Sequence, residues 1–390
     1  MIVNRPMRIA WWAVVGRFLV HGLVVSTWVS RIPAIKGGLG LSDGALGMAL
    51  LGGAIGSLAG APLSGWLVTH AGSRRASIWT SAAFSLVLVL PALAGNLPQL
   101  FLALLVLGTV AGADDVAMNS QAVGVEQAMG EPSMSRFHAM FSFAGIIGAG
   151  LGAVAARSGI AARPHLMVSA AAILGFSLAT APFLTEILTE TLTETRQPAP
   201  TPHVRFSLRH LSLPLLALSL IGFCIFLSEG AIADWTAVYL RQVLRAGAGL
   251  ASSGYAVFSA AMFVFRLAGD RIAVWLGRGW TIRGGALLAA TGLTIALMVP
   301  DPLWALPGFA LVGAGYSSII PLVFAAGGRL NPLNPGAGVA TVSGLGYLGF
   351  LVGPPAIGFI SQLSSLRLGL SLVVALSLLA AALVRAVHVD

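Results

Sequence analysis

The chain has 390 residues, of which 57% are hydrophobic and only 9% charged, with 48 glycines and a formal net charge of +9. A soluble domain carries about 25% charged residues, so that class is excluded and a polytopic membrane protein is expected. The excess positive charge comes from Arg residues lying between apolar runs, where the positive-inside rule uses them, and it calls for no nucleic-acid partner.

The stretch after Met1 to Arg8 lacks a small-residue cleavage site and reads as a retained first span. Runs of about 20 apolar residues cross a hydrocarbon core of about 30 Å as helices, because the backbone must satisfy its own polar groups there. Twelve such runs lie near 9–29, 44–68, 76–95, 98–121, 136–156, 164–184, 211–238, 250–270, 283–300, 303–325, 338–360 and 367–387. Between the sixth and seventh lies the one long polar segment, with Glu186, Glu190 and Glu194 at helical spacing followed by Pro198, Pro200 and Pro202. It reads as a short surface helix plus linker. The expected fold is therefore an all-α membrane protein of twelve transmembrane helices: a six-helix bundle over 1–184, a cytoplasmic linker over 185–210 and a second six-helix bundle over 211–390. With the N-terminus inside, thirteen Arg residues fall on the cytoplasmic side, against seven Lys and Arg residues outside. That asymmetry places both termini in the cytoplasm.

In the first span Arg17, His21 and Trp28 recur on one stripe. Arg17 and His21 are expected to line a polar cavity and contact solute, although pairing of Arg17 with an Asp of another helix fits equally. Trp28 reads first as an interfacial belt residue. The fourth span contains Gly112-Ala-Asp114-Asp115-Val-Ala-Met-Asn119. Asp115 and Asn119 share one helical face, while Asp114 points about 100° away. Asp115 is the expected proton carrier, since a carboxylate in a low-dielectric cavity can exchange protons near neutrality, with Asn119 beside it for solute. The competing reading wets both carboxylates at the cytoplasmic end of the span.

The seventh span holds Ser228-Glu229-Gly230 and Asp234-Trp235. Trp28 precedes Gly47 by the same distance as Trp235 precedes Gly254, and by that correspondence Glu229 falls at the level of Gly22, beside His21. Glu229 is the second expected proton site. In the eighth span Arg266 and Asp270 stand four apart, so a helix stacks them as an ion pair at the inner gate. Gly145, Gly148 and Gly152 share their spacing with Gly346, Gly349 and Gly353, in the fifth and eleventh spans. These echoes fit a parallel repeat of six helices. The single cysteine, Cys224, lies in an apolar run, so no metal site is expected; there is no G-x-x-x-x-G-K-[ST] loop and no G-x-S-x-G elbow, so neither ATP-driven pumping nor hydrolysis is signalled.

Twelve spans, a central linker and a six-plus-six repeat resemble the major facilitator superfamily over essentially the whole chain. Gly65-Trp-Leu-Val-Thr69-His70-Ala-Gly72-Ser73-Arg74-Arg75 resembles its loop G-x-x-x-D-R-x-G-R-R, with Thr69, His70 and Ser73 as departures, and the resemblance implies a gate role for Arg74 and Arg75. A narrower resemblance is to the fucose–proton symporter branch. There the fourth helix carries an acid four positions before an Asn, as at Asp115 and Asn119. The fifth opens with polar residues, and here His138 stands for a Gln and Phe141 for an Asn, with Ser142 next. The resemblance implies a cofactor-free secondary transporter, monomeric in the inner membrane, that moves a small polar, sugar-like solute together with protons by alternating access. Phe141 in place of an amide favours the alternative, an efflux antiporter for amphipathic compounds. A membrane-embedded enzyme or a sensor that has kept the fold would lack a visible catalytic constellation.

Overall fold

The computed structural model describes residues 5–131, 133–186, 212–330 and 335–387. Its helices are α1 (Arg5–Gly38), α2 (Asp43–Ala71), α3 (Ser73–Val87), α4 (Leu97–Met129), α5 (Met134–Arg157), α6 (Ala162–Thr180), α7 (Leu213–Gln242), α8 (Ala248–Leu276), α9 (Arg278–Met298), α10 (Pro302–Tyr316), α11 (Ile319–Arg329), α12 (Pro335–Leu363) and α13 (Leu366–Leu383). Among the described residues there is no strand, and twelve segments are long and apolar enough to cross a membrane, α10 and α11 together making the tenth. Glu190, Glu194 and the three linker prolines lie outside the described residues.

Helix starts follow ordinary capping chemistry: Ser42, Asn96, Ser212 and Ser365 each accept a hydrogen bond from the backbone N–H three residues on. Several helices outrun their apolar cores. α4 continues to Met129, closes on Gly130 in the left-handed conformation (φ 66°), and its Glu126 carboxylate accepts from the N–H groups of Ser133 (2.6 Å) and Met134 (2.7 Å) at the start of α5. Asp114 consequently stands 17 residues after Leu97 and 15 before Met129. The competing reading, with both carboxylates at a wetted helix end, loses its basis: the polar stretch after Asn119 stays helical, which puts both near the middle of α4.

The chain forms two compact units, one of residues 1–196 with 247–256 and the other of 197–246 with 257–390. In the first, α1 packs on α5, α2 on α4, and α3 on α6. In the second, α7 packs on α12 and α9 on α13, the corresponding pairs, and Gly313 of α10 meets the backbone of Phe258 in α8 as Gly112 of α4 meets that of Ser57 in α2. The matched glycines are the contact strips in both: Gly148 and Gly152 face Ser26 and Ser30 of α1, while Gly346, Gly349 and Gly353 face Phe226, Phe223 and Leu227 of α7. Small residues let backbones approach where lipid supplies no hydrophobic drive between helices.

Candidate functional site

At the centre of the first unit one carboxylate gathers donors from two other helices. Asp114 of α4 is fully buried, and its Oδ2 lies 2.9 Å from Nδ1 of His21 on α1, which is 8% exposed. Its Oδ1 accepts from Ser81 (2.6 Å) and Thr80 (2.9 Å) on α3. The imidazole rests against Phe84 and Phe141, with ring centroids 4.9 and 5.8 Å away. α3 can supply these hydroxyls because Ser73, Ser77, Thr80, Ser81 and Ser85 recur at helical spacing on its buried side. A buried carboxylate with three donors meets the requirement that buried charge be paired and hydrogen-bonded.

Thr80 has one proton and three acceptors in reach: Oδ1 of Asp114 and the carbonyl of Ala76 one turn back, both at 2.9 Å, and the carbonyl of Ser77 at 3.4 Å. An ionised Asp114 takes that proton's hydrogen bond. A protonated Asp114 donates to Thr80 Oγ1 instead, and Thr80 turns to Ala76. Neither state leaves an orphaned group at Oδ1.

Asp115 is half-buried on the neighbouring face, where its Oδ1 accepts from Asn119 Nδ2 at 3.1 Å and its carbonyl accepts from the same amide at 2.8 Å. It stands within electrostatic reach of His21. The expected pairing of Asp115 with Asn119 is thus present, whereas the contact between α1 and α4 runs through Asp114. His138 is half-buried on α5, edge-on to Phe18 at 5.2 Å, and Ser142 is buried one turn further along.

Three expectations are corrected. Arg17 does not share a cavity wall with His21: it is fully buried and turned to α6, donating to Ser177 Oγ (2.8 Å), the Ser177 carbonyl and Thr180 Oγ1 (both 2.5 Å). An exposed helix end offers no such forked set of acceptors, which is what guanidinium geometry favours. Trp28 is not a belt residue; it is 7% exposed, and its counterpart Trp235 is fully buried. Arg266 and Asp270 form no ion pair. Asp270 is exposed, while Arg266 donates from Nε to the carbonyl of Ser317 at 3.3 Å. That carbonyl would accept from residue 321 in a continuous helix, but Pro321 has no N–H, so the break between α10 and α11 leaves an acceptor available to Arg266.

Arg74 is held within its own unit, donating from Nε to the Leu184 carbonyl at 2.7 Å, and Glu186 accepts from Ser73 Oγ at 3.2 Å beside Gly72, whose φ is 84°. Arg75 is exposed. In the second unit Glu229 is half-buried on α7 with its Oε1 unpartnered, within electrostatic reach of Arg266 and of Tyr316, whose hydroxyl meets Ser377 Oγ at 2.6 Å. Sequence reasoning missed Asp114, Thr80 and Ser81 as a group. The signal available was the serine and threonine stripe of the third span.

Twelve membrane-crossing helices in two units of matching internal packing, with ionisable groups buried at mid-helix, define a polytopic membrane protein with the architecture of a solute carrier. The family model for the Major Facilitator Superfamily matches residues 14–335, and the chain belongs to that family. It is 38% identical over 370 residues to an "Uncharacterized MFS-type transporter" of Yersinia pestis, covering 95% of this chain and 94% of that one. Among solved structures it resembles a mutant of the nucleoside transporter NupG (TM-score 0.73, 13% identity, 97% of this chain and 98% of that one). It also resembles the Escherichia coli fucose:proton symporter FucP (TM-score 0.63, 15% identity, 98% and 99%), and at these identities the likeness shows the fold alone. The protein is a membrane transporter, not an enzyme.

Proposed function

We propose that this transporter moves a small polar, sugar-like solute by alternating access and couples that movement to protons bound at the Asp114–His21 pair, with Glu229 as a second proton site. The observation that carries the reading is the arrangement around Asp114 Oδ1, whose hydrogen bonds can be satisfied with or without a proton on the carboxylate. The proton belongs to the pair rather than to either residue, because the two groups are in direct contact. Asp115, Asn119, His138 and Ser142 supply polar groups for a solute, and Arg74 and Arg75 the inner gate. A nucleoside and a fucose are what the two solved relatives carry by name, which agrees with a polyhydroxylated solute.

The experiment is ligand-dependent proton movement in proteoliposomes, with the solute chosen by a thermal-shift screen across sugars, nucleosides, amino acids and drugs. Solute added to vesicles under an imposed pH gradient is expected to alkalinise the donor side. Net solute uptake with no accompanying pH change would remove protons from the mechanism.

The same reading puts both termini and the 185–210 segment at the cytoplasmic face of the inner membrane, on the strength of the Arg asymmetry. In a Cys224→Ser background, a cysteine at Pro198 is expected to react with an impermeant maleimide only after the cells are permeabilised. Labelling from outside intact cells reverses the topology.

A further inference from the structure

The C-terminal part of α1 carries a buried charge that the Asp114 cluster does not use. Arg31 is 2% exposed; one of its terminal nitrogens donates to the Ile160 carbonyl at 2.5 Å, and its Nε is buried without a partner. Among the described residues no carboxylate pairs with it. The acidic residue nearest in sequence, Asp43, is held by Lys36 at 2.7 Å, and residues 132 to 185 include no Asp or Glu. On α6, His165 has both ring nitrogens buried and unpartnered, and the charge of Arg31 acts on it. The imidazole borders the α1–α5 seam: a Cβ on Gly152 would meet Ser30 Oγ, and His165 Cε1 at 3.8 Å. His165 sits in the first turn of α6, whose preceding residue Ala161 gives no side-chain cap, so the positive end of that helix is open as well.

A guanidinium N–H and an imidazole, which in any tautomer carries an N–H, are both buried here with no acceptor among the described residues. Buried polar groups are almost always satisfied, and a buried cation needs a counter-charge besides its hydrogen bonds. Water would satisfy the donors and leave the charge. An anion satisfies both, and a helix N-terminus adds to its stabilisation.

We propose that Arg31 and His165, backed by the N-terminus of α6, form a binding site for a small singly charged anion, a halide or a simple carboxylate. The site lies apart from the proton-coupling residues and does not depend on them. The test uses the full-length protein in nanodiscs, in gluconate buffer at constant ionic strength and pH, with chloride in one arm and formate in the other, and follows thermal unfolding by tryptophan fluorescence. A saturable rise in Tm is expected in at least one arm, and the arm that saturates at lower concentration identifies the source. His165→Phe should raise the half-saturating concentration at least about tenfold, and His165→Asn, which keeps an N–H donor, should retain the response. Arg31→Gln also breaks the tie to Ile160 and can fail to fold, so the two His165 variants carry the test. A Tm without saturable dependence on either anion, or a response identical in His165→Phe, overturns the proposal.

Discussion

Asp114→Asn is expected to abolish pH-driven accumulation of solute while leaving solute binding and counterflow close to normal. The amide is the same size as the carboxylate, keeps an oxygen for Ser81 and Thr80, and like the protonated acid carries no charge. It cannot give the proton up, so the cycle is held in its loaded form. Asp115→Asn should be milder, because that side chain is half-buried and leans on Asn119 of its own helix. Asp114→Ala goes further: it removes the acceptor from His21 and Ser81, while Thr80 falls back on the Ala76 carbonyl, and each buried donor left unmade costs about 1–3 kcal/mol. The check is parallel measurement of counterflow and pH-driven uptake in the three variants. Uptake that survives in Asp114→Asn but is lost in Asp115→Asn would return the role to Asp115, and survival in both would move it to Glu229.

That ranking inverts the one suggested by the sequence, and the reason is physical. A 100° step between consecutive helical residues says that Asp114 and Asp115 face different ways. It does not say which way α4 is rotated. In a soluble helix the apolar stripe settles the rotation, but α4 is apolar nearly all round, from LFLALLVLG onward, so the pattern carries no such mark. What fixes the rotation is contact: Gly108 and Gly112 turn to α2, and Asp114, about 200° round the helix from Gly112, is thereby turned to α1 and α3. Long-range partners were hidden for the same reason. Arg17 finds Ser177 and Thr180 some 160 residues away, and nothing local to either helix announces the meeting. The i,i+4 rule put Arg266 and Asp270 on one helical face, but it could not see the acceptor that Pro321 leaves at Ser317. The span count, the repeat and the paired glycine strips, by contrast, depend on composition and spacing alone, and those were legible.

Gly112→Ala and Gly175→Ala make the same chemical change and are expected to move stability in opposite directions. A methyl on Gly112 would meet the backbone of Ser57 in α2, with its carbonyl carbon 2.8 Å and its Cα 2.9 Å from the new atom. Backbone cannot rotate out of the way as a side chain can. The contact is reciprocal, since a Cβ on Gly60 of α2 would lie 2.9 Å from the Ala113 nitrogen, so α2 and α4 interlock through glycine on both sides and must separate together. Overpacking of this kind costs about 1–3 kcal/mol, and Gly112→Leu should exceed that range and prevent folding. Gly175 of α6 has nothing within 4 Å of where its Cβ would be, so Ala there removes only the entropic disadvantage of glycine in a helix, a gain of about 0.5–1 kcal/mol. Thermal unfolding of both variants in one detergent checks the signs, and shifts of the same sign would mean that the glycine strip does not set the helix spacing. Transport supplies a second readout. Asp114 follows Gly112 by two residues on a helix that would have to move, and its hydrogen bonds of 2.6–2.9 Å leave little slack, so Gly112→Ala should weaken pH-driven uptake where Gly175→Ala leaves it intact.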